Sequence, residues 1–221
     1  MWFEYMLNYP FANMYNLESA FTYSTSLRSP RWRAFDFQIT PEAAITRNID
    51  LSASFLGSYT FQNDTLESLE LRPTIGVRFH FTEERRIQTR LFVRFEQRHF
   101  KDVEAGDWYK SNRFRTRAES VIALNKPTMF SGDKLWYAIL DAEWFFVLDE
   151  DVEERFANRF RLRAGLGYRL NYNLRFEFVF TNQQSKNAIA ENFYSSDNIF
   201  RFRIKQYLNK AKPSNATGTG N

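Results

Sequence analysis

A chain of 221 residues without cysteine is long enough for one large all-β domain and offers neither a disulfide framework nor a thiolate metal site. Aromatic residues make up 18% of it while Gly (8) and Pro (6) are sparse, which excludes collagen-like and disordered classes. A mean hydropathy of −0.53 and the lack of any apolar run of roughly 18 residues exclude a helical membrane protein, and a net charge of only +4 makes the pI near 9.3 a weak ground for nucleic-acid binding.

The opening MWFEYMLNYPF lacks the charged region, apolar stretch and small-residue cleavage site of a signal peptide, so an exported protein would stand here in a mature or trimmed form. From Trp2 onward the dominant signal is alternation with period two, which in an extended strand sends successive side chains to opposite faces. It predicts strands at Trp2 to Phe11, Asn16 to Arg28, Arg33 to Ala44, Ile49 to Gln62 and Leu66 to Phe81. Further strands follow at Ile87 to Phe100, Arg113 to Leu124 and Leu135 to Leu148. The clearest case is Arg159 to Arg169, where Phe160, Leu162, Ala164, Leu166 and Tyr168 share one face and Arg159, Arg161, Arg163 and Arg169 the other. After a turn at Asn171 to Asn173 comes a strand with Leu174, Phe176, Phe178 and Phe180 on one face and Arg175 and Glu177 on the other, then a last strand from Ile199 to Leu208. Eleven runs joined by short polar turns read as an up-and-down meander closed into a barrel over residues 1–208, with 209–221 a flexible polar tail. Because single-chain bacterial membrane barrels have even strand numbers, ten to twelve strands are expected, twelve by preference. Pro41 and Pro73 fall inside strands, where each removes a ladder donor, so bulges are expected there.

A soluble barrel buries its apolar face, whereas a membrane barrel turns it to lipid. Here the apolar face carries Phe35, Phe37 and Ile39, then Leu51, Phe55 and Tyr59, then Leu71, Ile75, Val77 and Phe79. Leu91, Val93, Phe95, Trp136, Leu140, Trp144 and Phe146 continue it, and no charge is expected to interrupt this face in any of the strands. That strictness, strands of the ~9 to 11 residues a tilted span needs, and a volume of apolar side chains too large for one lumen point to lipid outside. Tyr9, Tyr23, Tyr59 and Tyr168 near strand ends fit interfacial girdles. The expectation is a transmembrane barrel of a Gram-negative outer membrane, with lipid as partner alongside other outer-membrane or periplasmic proteins, and with no cofactor.

The other face sorts its charges. Glu4, Glu18, Asp36, Glu42 and Asp50 make an acidic side in the first strands. The rest supplies a basic wall of Arg72, Arg78, Arg90, Arg94, Arg98, Arg113, Arg115, Arg117, Arg159, Arg161, Arg163, Arg175, Arg201, Arg203 and Lys205, interspersed with Glu70, Glu96, Glu119, Asp141, Glu143 and Glu177. Two functions are open: a structural component of an envelope complex whose lumen is largely plugged by salt bridges, or a porin-like narrow solute or anion pore through an Arg-lined lumen. An outer-membrane lipid hydrolase is a further alternative, using outward His99 with Ser68 or Ser111; the other histidine, His80, is expected inward near a tight turn. No nucleophile elbow, HExxH or paired-carboxylate motif supports catalysis, so the protein reads as a non-enzyme. Nucleic-acid binding on strands requires basic and aromatic groups on one face, and here they occupy opposite faces.

At RFRLRAGLGYRLNYNLRFEFVF, an Arg-alternating strand, an Asn turn and an aromatic strand, the chain resembles a domain-of-unknown-function family of bacterial outer-membrane β-barrel proteins. The Trp-led hairpin WFEYMLNYPFANMYNLESAFTY looks like that family's start, and the likeness runs to Leu208. The resemblance implies fold and location and hands over no catalytic or binding residues. The polar tail after Tyr207 and Leu208 departs from barrels that finish on a terminal aromatic residue.

Overall fold

The structure, a computed structural model, describes residues 1–12, 14–26, 31–62, 65–82, 85–149, 159–186 and 193–208. The tail at 209–221 and the expected strand end at Arg28 lie outside the described residues.

The period-two runs become eleven strands: β1 (Trp2–Ala12), β2 (Tyr15–Thr25), β3 (Trp32–Thr46), β4 (Ile49–Gln62), β5 (Thr65–His80), β6 (Ile87–Asp102), β7 (Trp108–Ala123), β8 (Leu135–Val147), β9 (Arg159–Asn171), β10 (Leu174–Lys186) and β11 (Phe193–Tyr207). Consecutive strands pair antiparallel throughout, and β11 returns to β1 to close the barrel. Local turn chemistry makes the hairpins tight. The Asn171 side chain accepts from the Asn173 amide at 2.9 Å, Thr46 Oγ1 accepts from the Asn48 amide at 3.2 Å, and Asp102 Oδ1 accepts from the amides of Glu104 and Ala105.

Where ten to twelve strands are expected, twelve by preference, the described residues form eleven, an odd number. In a meander the first and last strands run opposite only when the count is even, so eleven strands force a parallel closure. That seam pairs Trp2 with Arg201 through Asn8 with Tyr207, a shorter ladder than the antiparallel ones on either side. The bulges expected at Pro41 and Pro73 are absent as well. Pro41 keeps its place opposite Leu17 and Pro73 opposite Phe55, while the β3–β4 ladder skips Pro41 and the β5–β6 ladder skips Pro73 without a change of register. A residue in an antiparallel sheet directs its N–H and C=O to the same neighbour, so each proline forfeits a bond on one side only. Register shifts occur elsewhere, at Pro10/Ala12, Ala44/Thr46, Thr60/Phe61, Leu174/Arg175 and Gln183/Gln184.

The barrel is inside out relative to a soluble protein. Ile75 is 64% exposed and Phe55 and Tyr59 53% each, while Glu143 is 0% and Glu96 2% exposed. Outward rings pack on one another across strands, Trp136 on Tyr168 at 4.7 Å and Trp144 on Phe160 at 5.1 Å between centroids. The expected charge-free outward face is interrupted at Arg33 and Glu67, and with Lys101 and Lys110 these outward charges lie near one mouth, where water rather than an apolar surround can meet them.

Candidate functional site in the barrel lumen

The inward positions bring together every charged residue expected in the lumen. Arg72 and Arg78 come from β5, Arg90, Arg94, Glu96 and Arg98 from β6, and Arg113, Arg115, Arg117 and Glu119 from β7. Arg159, Arg161 and Arg163 come from β9, Arg175 and Glu177 from β10, and Arg201 and Arg203 from β11, all lining one cavity of about 560 Å³. Asp141 of β8 lines a smaller recess beside it, and Glu143 is buried in the wall beneath its arginine partners.

Most of these charges meet along the wall. Glu96 accepts from Arg113 Nε at 2.9 Å and Arg115 Nη1 at 2.6 Å and lies 3.2 Å from Arg94 Nε. Glu143 accepts from Arg94, Arg115 and Arg163 at 3.0, 2.6 and 2.8 Å, and Arg163 donates its Nε to Asp141 at 2.6 Å. The chain of ion pairs thus runs from β6 to β9. Two phenyl rings stiffen it: Phe145 is faced by the guanidinium groups of Arg113, Arg115 and Arg161 at 5.0, 4.2 and 4.8 Å, and Phe92 by those of Arg78, Arg94 and Arg117. Other pairs bridge adjacent strands: Arg98 with Glu70 at 2.8 Å, Arg90 with Glu119, and Arg203 with both Glu4 and Glu177. Carboxylates held by several guanidinium forks are compatible with burial because their lone pairs are filled.

Tyr137 reaches over a neighbouring strand. A Cβ on Gly167 would stand 2.2 Å from the Tyr137 ring, so β9 is flat there and the Tyr137 hydroxyl donates to Glu177 of β10 at 2.8 Å. At the same mouth the β7–β8 connection, residues 124–134, folds inward. Arg169, 2% exposed, donates to the carbonyl oxygens of Met129 at 2.7 Å and Gly132 at 2.5 Å, and Met129 lines the cavity. Gly132 adopts φ +76°, a left-handed conformation that suits glycine at this reversal.

The acidic side faces this wall across the cavity. Glu4, Glu18, Asp36 and Glu42 line it from β1, β2 and β3, and Asp50 sits at the start of β4 with His80 Nε2 at 2.7 Å. Two cations on the basic side lack a carboxylate partner among the described residues. Arg117 rests on Phe92, Arg175 rests on Tyr207 at 4.5 Å, and the Nε of each is buried without an acceptor.

Phe92, Phe145, Tyr137 and the 124–134 connection were not singled out by the sequence reading. The parity of Phe92 between Arg90 and Arg94, and of Phe145 two places after Glu143, was the signal for the rings. The hydrolase constellation does not assemble: Ser111 is buried and inward beside Arg98, His99 is outward with its ring nitrogen 3.0 Å from Gln97 Oε1, and Ser68 pairs with Asp102, three places along β6 from His99. Among the described residues no group of three or more His, Asp or Glu is placed to hold a metal ion.

A family model described as Protein of unknown function (DUF2490) matches residues 1–194. No curated protein matches the chain.

Proposed function

We propose that this chain, which belongs to the DUF2490 family of proteins of unknown function, is an integral β-barrel of a bacterial outer membrane that acts as a non-enzymatic structural component of the envelope. The observation that carries the reading is the inversion of polarity: an aromatic and aliphatic outer surface closes around a lumen that holds the charges. Lipid is the solvent that makes such a surface favourable, since a contiguous exposed apolar band of this extent is an aggregation liability in water. The wall of ion pairs supports a scaffold with a narrowed lumen over a wide channel, and the inward 124–134 connection narrows one mouth further. Its partners would be lipid and other outer-membrane or periplasmic proteins.

A narrow anion pore is the second reading, favoured by Arg117 and Arg175, neither of which makes a direct ion pair with a carboxylate of the described residues. Planar-bilayer recording of the refolded protein, checked by circular dichroism to fold only with detergent or lipid, separates the two. Silence from an inserted barrel supports the scaffold. Anion-selective steps that reverse selectivity in Arg161→Glu/Arg163→Glu support the pore, and folding in plain buffer to a stable monomer overturns both.

A further inference from the structure

Near the mouth that holds the 124–134 connection, three lumen side chains have unmet polar capacity. The register places Glu18 of β2 opposite Asn8 of β1, Asn8 opposite Tyr207 of β11, and Arg175 of β10 opposite Lys205 of β11. All five line the cavity. Glu18 makes no hydrogen bond or ion pair among the described residues, the Asn8 Nδ2 and Arg175 Nε atoms are buried without an acceptor, and Arg175 has no carboxylate partner.

The groups that could have paired with them are engaged. Lys205 is held by Glu177 at 3.0 Å, and Arg203 is held by Glu4 at 2.5 Å and by Glu177 at 2.9 Å, so neither reaches Glu18. Glu177, the acid nearest in sequence to Arg175, is filled by Lys205, Arg203 and the Tyr137 hydroxyl. A carboxylate and a guanidinium therefore face one chamber from strands β2 and β10, separated around the wall by three strand spacings of ~4.8 Å. A lone anion would satisfy Arg175 and leave Glu18 bare, and a lone cation the reverse.

We propose that this end of the lumen is a binding site for a small zwitterionic solute, its anionic group on Arg175 and its ammonium group on Glu18. The guanidinium fork donates to a carboxylate or similar planar anion. The Glu18 carboxylate, acceptor-only when ionised, takes the ammonium donors. The separation of the two charges selects solutes whose own charges stand several ångströms apart over α-amino acids. A volume of about 560 Å³ lies within the range of small-molecule pockets. The site goes beyond the scaffold reading and does not require that the barrel conduct.

The test is calorimetric titration of the detergent-folded protein with ε-aminocaproate, its N-acetyl derivative (anion only) and its amide (cation only). The zwitterion is expected to bind at least about tenfold more tightly than either derivative, the equivalent of one lost charged contact. Glu18→Gln is expected to abolish the preference over the acetylated anion, and Arg175→Gln the preference over the amide, with unchanged circular dichroism. Should either glutamine variant misfold, Glu18→Asp and Arg175→Lys weaken the same preferences by altering reach. Equal binding of the three compounds, no binding of the zwitterion to folded protein, or preferences that survive both substitutions would overturn the proposal.

Discussion

Removing the Glu143 carboxylate tests whether the lumen wall is held by its ion pairs. Glu143 is 0% exposed and accepts from three guanidinium groups, Arg94 at 3.0 Å, Arg115 at 2.6 Å and Arg163 at 2.8 Å. In Glu143→Ala each of these arginines keeps one acid, Glu96 for Arg94 and Arg115 and Asp141 for Arg163, so the charged contacts do not all count in full. The loss expected is that of removing one partner from a buried network, about 3 to 5 kcal/mol. Glu143→Gln keeps an acceptor oxygen and loses the charge, and about 2 kcal/mol is expected for it. Urea unfolding in lipid vesicles followed by tryptophan fluorescence, with both transitions reversible and of equal slope, gives the difference directly. An alanine variant within 1 kcal/mol of the parent would show that the network adds nothing to stability and that the strand ladders alone hold the barrel.

Four other substitutions or conditions have definite outcomes. Ile75→Lys, at a 64% exposed outward position, is expected to destabilise the vesicle-inserted protein by about 2 to 4 kcal/mol; a neutral or stabilising effect would mean that water, not lipid, faces this side. Gly167→Ala is expected to cost about 1 to 3 kcal/mol by displacing the Tyr137 ring, and to cost little when made in Tyr137→Ala, so a double-mutant cycle reads the contact. Arg169→Ala removes two donors from the carbonyls of Met129 and Gly132, and hydrogen exchange in the 124–134 connection is expected to quicken by about tenfold or more. At the other mouth, hydrogen bonds from the Asn112 amide and side chain hold the Asp149 carboxyl below its ordinary value. A depressed folded value means that this tie is complete above the unfolded pKa of about 3.9 and is lost as the pH falls through the lower folded one, so the Asn112 amide resonance should titrate only in acid and not at all in Asp149→Asn.

The fold was largely legible because one physical rule, alternation between two solvents, repeats along almost every strand. Arg159 to Arg169 and Leu174 to Phe180 announce their hairpin, their faces and their turn in one stretch, and the charged lumen set follows from the same parity. What escaped depends on relations between strands. That β11 meets β1 in parallel follows from a count that alternation within single strands does not constrain. Tyr137 crosses β9 only because register puts Gly167 opposite it, and Gly167 reads from sequence as one more inward position. Met129 lies in a polar stretch with no period, and its inward turn is imposed by Arg169, forty residues on. The hydrolase geometry failed on parity itself: an odd-numbered His99 on β6 and Ser111, paired with Arg98, point to opposite faces.

The same register that saturates the basic wall explains why the lumen does not neutralise itself. Glu96 is shared by three arginines, Glu143 by four, and Glu177 by Arg203 and Lys205, so these acids of β6 to β11 are already surrounded by surplus positive charge. Charge left over on that arc has to look to β1, β2 and β3 for a partner. There the acids are spaced by the inward positions of their own strands, and Asn8, a neutral residue, stands between Glu18 and Tyr207 across the seam. Lys205 and Arg203 could close the remaining distance only by leaving the carboxylates that hold them, at a cost of several kcal/mol for each buried pair broken. Glu18 and Arg175 therefore stay apart around the cavity they both line, for a bridging solute to answer.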